Sequence, residues 1–232
     1  MKFYKDGAIQ PIPNMYFIYG DGGTGKTSLV KQFKGHKLVF SFDMSSNVLI
    51  GDKDVDVAIL EEKDAPTVQN LVSTMVTRAF GQDRYDVIVL DNVTALQNLV
   101  LENIDGASKD GRQNYQKLQL WFRKLGMALK ESGKTIYATA HQIDTGNGDG
   151  LSSKGRFAAD MNEKTFNAFT SMFDLVGRIY LKDGQRFIDL DPENGNHAKN
   201  RLDNRKLIKA DELLDVKKTE TKKTTKKETD KK

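Results

Sequence analysis

The segment Gly20-Asp-Gly-Gly-Thr-Gly-Lys-Thr27 directly follows the apolar run Met15-Tyr-Phe-Ile-Tyr19, and this pairing constrains the fold more than any other feature of the chain. Glycines at this spacing let successive backbone N–H groups point inward at phosphate oxygens, and a helix opening at the end of the loop adds its positive dipole end. The pattern predicts a buried strand, a phosphate-binding loop built from Gly20, Asp21, Gly22, Gly23, Thr24, Gly25, Lys26, Thr27 and Ser28, and a helix from Gly25 to about Lys34. Lys26 is expected to reach the β- and γ-phosphates of ATP, and the Thr27 hydroxyl to ligate Mg²⁺.

Downstream, Lys37–Phe42, Asp56–Leu60, Asp86–Leu90 and Thr135–Ala140 are short apolar runs that read as strands. A helix is expected near Ala65–Phe80. A longer one carries Tyr115, Leu118, Phe122, Leu125 and Leu129 at helical spacing. This alternation implies an α/β fold with a mostly parallel sheet covered by helices on both faces. Residues 143–163 are rich in Gly, Asp, Ser and Lys and read as a long loop, a length that is usually functional. Asp174–Leu181 and Arg186–Leu190, joined at Asp183-Gly184, predict a hairpin extending the sheet. The expected organisation is a lead-in over 1–14, one domain over 15–208, and a short helix with a Lys-rich tail over 209–232.

The net charge of +4 is not a property of the whole chain. Residues 217–232 hold eight lysines against Glu220, Glu228 and Asp230, a balance of +5, which leaves −1 for residues 1–216. The tail lacks apolar residues and is expected to be disordered. The absence of cysteine excludes disulfides and thiolate metal sites, and His36, His141 and His197 fall at no ligand spacing. No apolar run approaches the ~18 residues that span a bilayer. The N-terminus turns polar too early for a signal peptide, so a cytoplasmic location is expected, the host's if the source is viral.

A bound Mg²⁺ calls for an acidic partner at the end of a neighbouring strand. Asp91, closing Asp86-Val-Ile-Val-Leu-Asp91, is so placed, with Asn92 able to add a hydrogen bond. A strand terminator or helix cap is the plainer use of the same carboxylate.

The order of phosphate loop, Asp91-Asn-Val-Thr-Ala-Leu, long helix, Ala140-His-Gln142, polar loop, hairpin and Lys199-Asn-Arg201 resembles the RecA-like P-loop ATPases. Within them it is most similar to the short bacteriophage RecA-like proteins linked to single-strand annealing and DNA recombination. The resemblance covers roughly Met15 to Arg205. It implies a RecA-like fold and ATP hydrolysis at subunit interfaces of a homo-oligomer. Gln142 takes the place of a glutamine that senses the γ-phosphate and moves the following loop. Lys199 and Arg201 match a basic pair offered to a neighbouring subunit's ATP. The family's water-orienting glutamate is replaced by Asp43, one methylene shorter, with Glu61 as an alternative base.

Two loops of the family hold single-stranded DNA. Here they correspond to Asp105–Arg112 and Asp144–Asn162, giving Lys109, Arg112, Lys154 and Arg156 as phosphate contacts and Phe157 as a stacking residue. Asp105, Asp110, Asp149 and Asp160 dilute that charge. Single-stranded DNA is thus the expected partner, with a single-strand-binding protein or replication protein beside it. The alternatives are an ATPase acting on a protein such as a replicative helicase, and a nucleotide or small-molecule kinase. The kinase reading is weakened by a 143–163 loop with one arginine and one lysine.

Overall fold

The computed structural model describes residues 1–146 and 156–216. Lys154 and the Lys-rich tail lie outside the described residues. Strand β1 (Met15–Gly20) is buried at all six positions, with the α-helices packed on one face and the short 3-10 segments Thr27–Gln32, Ser46–Leu49 and Ala210–Glu212 on the other. Around it lie β2 (Lys37–Ser41), β3 (Val55–Ile59), β4 (Val87–Asp91), β5 (Thr135–Asp144), β6 (Phe157–Ala159), β7 (Leu175–Lys182), β8 (Gln185–Asp189), β9 (Lys199–Asn200) and β10 (Leu207–Lys209). The helices are α1 (Val68–Phe80), α2 (Val93–Glu102), α3 (Gly111–Glu131) and α4 (Glu163–Thr170).

The sheet runs β10-β8-β7-β1-β5-β4-β2-β3, with β6 added on β5 and β9 on β7. The pairs from β7 across to β3 along this path are parallel, whereas β8, β9 and β10 join antiparallel. This is the expected RecA-like P-loop NTPase arrangement. Alternation along β1 sends Met15, Phe17 and Tyr19 to one face and Tyr16 and Ile18 to the other. On the first face Phe17 meets Phe166, Phe169 and Phe173 edge-on beneath α3 and α4. On the second, Ile18 shares a core with Val30, Tyr137, Ile188 and Leu213.

Four expectations need correction. The segment after the phosphate loop is a short 3-10 helix, Thr27–Gln32, rather than an α-helix reaching Lys34. The Leu29 N–H is shared between the carbonyls of Gly25 and Lys26, both at 3.2 Å. Gly35, at φ +81°, then turns the chain straight into β2, with no room for a Cβ beside the Asp86 carboxylate. Second, α2 stands between Asp91 and the long helix, unforeseen because it begins one residue after the β4 strand. Asn92 caps it by accepting from the N–H groups of Thr94 and Ala95.

Third, both ends of the 143–163 stretch are paired. β5 runs on to Asp144, and Gln142, Ile143 and Asp144 face Ala159, Ala158 and Phe157 of β6. Backbone hydrogen bonds of this ladder, not composition, decide that Phe157 is a strand residue. Fourth, β10 crosses residue 208, and Leu213 beyond it is fully buried. No helix among the described residues is long and apolar enough to cross a membrane.

Candidate functional site

The C-terminal ends of β1, β4 and β5 converge because parallel strands in one sheet end on the same side. β1 releases the phosphate loop there, and Gly23 and Gly25 take left-handed conformations at φ +75° and +93°. A Cβ on Gly22 or Gly23 would meet nothing, so the outer wall of the loop is open. Beyond it lies a cleft of about 310 Å³ lined by Lys26, Thr27, Asp43, Asp91, Asn92 and His141 among others.

Lys26 is buried, and its ammonium donates to the carbonyls of Gly20 at 2.9 Å and Asp21 at 2.7 Å. Burial lowers its pKa, opposed by the charges of Asp91, Asp21 and Asp43. A cation held on two neutral carbonyls at the mouth of an open loop is poised to exchange them for phosphate oxygens. Its own carbonyl accepts from the Tyr137 hydroxyl at 2.8 Å, which anchors the base of the loop to the centre of the sheet.

Asp91 is almost fully buried at the end of β4. One carboxylate oxygen accepts from the Thr27 hydroxyl at 2.8 Å, and the other from the Thr139 hydroxyl on β5. Burial raises its pKa, while the two hydroxyl bonds pull the other way. Asp91 and Thr27 are the oxygen pair that would hold Mg²⁺, a small hard cation whose shell is usually completed by water and phosphate rather than by a carboxylate cage. No cluster of three His, Cys, Asp or Glu that could hold a metal exists among the described residues. When bound, the ion would neutralise charge on the phosphates and polarise the bond to the transferred group.

Asp43 follows β2 and lines the same cleft. One oxygen accepts from the Asn92 amide at 2.9 Å; the other accepts from the Ser45 N–H at 3.1 Å and Ser45 hydroxyl at 2.5 Å. Asn92 therefore caps α2 with its oxygen and holds Asp43 with its nitrogen. Glu61 instead caps a 3-10 turn and pairs with Lys63. It does not line the cleft.

Gln142, the first β5 residue beyond its pairing with β1, donates its amide to the Asp21 carboxylate at 2.8 Å. Its oxygen accepts from Arg178 Nε at 2.9 Å. The phosphate loop, the end of β5 and β7 are thereby joined through one side chain.

Lys199 and Arg201 are not part of this cluster. β9 lies opposite Leu175 and Val176, whereas Ile179 is the β7 residue beside Gly20. Lys199 thus sits three strand residues, about 10 Å, back from the loop. Its ammonium donates to the Thr170 carbonyl at 2.7 Å, and Arg201 reaches the Ser171 carbonyl at 3.4 Å. Burial, with Arg201 adding repulsion, lowers the Lys199 pKa to about 8.

Of the proposed DNA contacts, Lys109 and Arg112 are exposed. Arg156 differs from the free loop cation expected: it makes a bidentate pair with Asp144 at 2.8 to 3.2 Å. Phe157 is also not free for stacking on a base. The Arg178 guanidinium lies 3.4 Å from its ring centroid, and Tyr19 donates to its carbonyl at 3.1 Å.

Three contributors escaped sequence reasoning. Thr139 carried a weak signal, a hydroxyl inside the apolar run of β5, where a buried polar group needs a partner. Arg178 and Arg186 carried none, because their positions depend on strand order. Arg186 on β8 donates to the Thr24 carbonyl at 3.0 Å and borders both the phosphate cleft and an adjoining cavity of about 470 Å³. Glycine suits position 25 by its φ of +93°, and a Cβ there would stand 2.9 Å from Arg186 Nε and push that side chain aside.

A family model described as an AAA domain matches residues 12–202. Among solved structures, the KaiC-like protein PH0186 from the hyperthermophilic archaeon Pyrococcus horikoshii OT3 superposes with a TM-score of 0.45 at 11% identity, covering 77% of this chain and 78% of that one. No curated protein matches the chain.

Proposed function

The chain belongs to the AAA domain family of P-loop ATPases, and from that premise we propose that it hydrolyses Mg²⁺-ATP and couples the cycle to single-stranded DNA in phage-type recombination or strand annealing. The observation that carries the ATPase reading is the Asp91 carboxylate held between Thr27 and Thr139 in the cleft that the buried Lys26 also lines. A second oxygen site, Asp43, faces the same cleft and is oriented by Asn92 as a base for the attacking water.

The DNA reading is supported by a surface cleft of about 560 Å³ between the start of α3 and the start of α4. Arg112 and Lys164 supply cations there, Tyr115 a half-exposed ring, and Gln116, Gln119 and Asn162 amides. Cations beside an aromatic face are what a sequence-tolerant single-strand site needs. Glu163, on the same rim, limits its net charge. Lys154 and the lysine tail are further proposed contacts.

Lys199 and Arg201, remote from their own phosphate loop, are proposed to serve a neighbouring subunit's ATP in a homo-oligomer. A different observation favours an ATPase that acts on a protein. The edge strand β3 leaves Val57 and Ile59 exposed, and Ile50 and Met44 in the β2–β3 connection are exposed as well.

ATP turnover with and without single-stranded DNA at fixed salt tests these readings. Stimulation by DNA supports the first. Turnover indifferent to DNA, with no DNA binding at low salt, shifts the assignment to a protein-directed ATPase, and absence of both ATP binding and turnover removes the ATPase reading itself.

A further inference from the structure

Arg178 occupies an unusual position for a charged side chain. It lies on β7 beside Tyr19 of β1 in the parallel register, one residue before the phosphate loop begins. Half-buried, it has no carboxylate hydrogen-bond partner among the described residues; its Nε donates to the neutral Gln142 oxygen at 2.9 Å. Its guanidinium carbon, Cζ, lies over the Phe157 ring at 3.4 Å from the centroid and over the Tyr180 ring at 5.2 Å. A guanidinium with aromatic rings beside it and one directional bond is confined both in plane and in rotation.

The chain of contacts is continuous. The Asp21 carboxylate accepts from the Gln142 amide, the Gln142 oxygen accepts from Arg178, and Arg178 stacks on Phe157. Phe157 opens β6, and its carbonyl accepts from the Tyr19 hydroxyl and the His197 N–H. A change at the phosphate loop can therefore reach β6 through side chains, without relying on the β5 backbone.

We propose that Arg178 is a positioning residue that fixes the orientation of Gln142 and transmits the state of the phosphate loop to β6. This rests on the reading of Gln142 as the group that responds to nucleotide. Lys26 holds the Asp21 carbonyl, so a triphosphate that draws Lys26 away also disturbs Asp21. The Gln142 amide then has a choice between the Asp21 carboxylate and a phosphate oxygen. Either turn of the amide strains or releases the Arg178 bond, and the guanidinium can follow only by sliding on the Phe157 ring. Coupling of this kind requires that the two nucleotide states differ in their contacts to one element, here the Gln142–Arg178 pair.

The test is amide hydrogen exchange of residues 142–144 and 157–159 in full-length protein with no nucleotide, ADP, or a non-hydrolysable ATP analogue. Two variants accompany it: Arg178→Lys, which keeps the charge but loses the flat guanidinium and its Nε, and Phe157→Leu, which keeps an apolar side chain but removes the stacking face. In the wild type the exchange rates should differ at least about fivefold between ADP and the analogue. Each variant should reduce that difference to less than about twofold. A merely structural role would instead speed exchange equally in both states and preserve the ratio. A ratio that survives both variants overturns the role of Arg178 alone. Absence of any nucleotide-dependent difference in the wild type overturns the Gln142 reading and the Arg178 proposal with it. If either variant fails to fold, the other carries the test, since each breaks the same contact from one side.

Discussion

Thr27 and Asp91, sixty-four residues apart in the chain, meet at 2.8 Å where β1 and β4 end, although the two strands are not neighbours. β5 lies between them and adds Thr139 to the other carboxylate oxygen. Because burial raises the Asp91 pKa, the folded protein binds more protons than the unfolded chain between the ordinary carboxylate value and the raised one. Stability therefore falls as pH rises through that window, and above it the buried charge is a standing cost. Asp91→Asn should melt no lower than wild type at pH 7–8 without nucleotide, yet lose about a hundredfold or more in turnover. Thermal melts and steady-state assays check both halves. A strongly destabilised variant would mean that the two hydroxyl bonds outweigh burial.

Lys26→Ala removes the cation shared by Gly20 and Asp21. Calorimetric titration should show weakened ATP binding, with turnover reduced more than binding because charge on the transferred phosphoryl grows in the transition state. Unchanged affinity and turnover in a folded variant would count against the phosphate-loop assignment.

Lys199 provides a pH signature. Its folded pKa of about 8 lies below the ordinary lysine value of 10.5, so between these values the unfolded chain binds more protons. Stability should rise with pH across pH 8 to 10.5, and Lys199→Met should lose this slope. If Lys199 serves a neighbour's ATP as a cation, turnover per assembled site should also fall as pH rises through about 8. Mixing Lys26→Ala subunits with Lys199→Ala/Arg201→Ala subunits should then restore some activity.

Arg112→Ala/Lys164→Ala should weaken single-stranded DNA binding across sequences alike. If each cation makes one phosphate contact, the log–log salt slope should fall by about 1.4 for the pair, at about 0.7 per contact. A slope unchanged in the double variant would place the DNA elsewhere or remove it.

Gly20→Ala tests the packing that aims the loop. A Cβ there would stand 2.3 Å from the Ile179 carbonyl oxygen, a backbone atom of β7 that cannot turn aside. Chemical denaturation should show a loss of roughly 1–3 kcal/mol or more, typical of overpacking.

The sequence reveals those parts of the site carried by local chemistry. Gly20 to Ser28 announce a phosphate loop because glycine spacing and the Lys-Thr pair are contiguous, and Asp91 is legible because a carboxylate ending an apolar run has few uses. The parallel sheet follows from the alternation of β1 to β5 with helices. What stayed hidden depends on which strands become neighbours. Thr139 matters only because β5 separates β1 from β4, and Arg178 and Arg186 only because the β7–β8 hairpin packs beside β1. Arg156 and Phe157 look like free loop residues in composition, and strand pairing of Phe157 with Asp144 and the side-chain pair of Arg156 with the same residue change their environment.

The β5 strand is clamped on one side by β4 at Thr135–Ala138 and on the other by β1 at Ile136–His141, and beyond His141 its backbone is paired only with β6 among the described residues. Mechanically it is a cantilever rooted in the central sheet, with Gln142 at the root of its free arm. Three residues project past the clamp, about 10 Å at 3.3 Å per residue. A tilt of about 10° at the root would move the end of that arm by nearly 2 Å, roughly half the spacing between successive residues of a strand. A displacement too small to see at the phosphate would thus become, at Asp144 and Phe157, large enough to change which partners a side chain can reach.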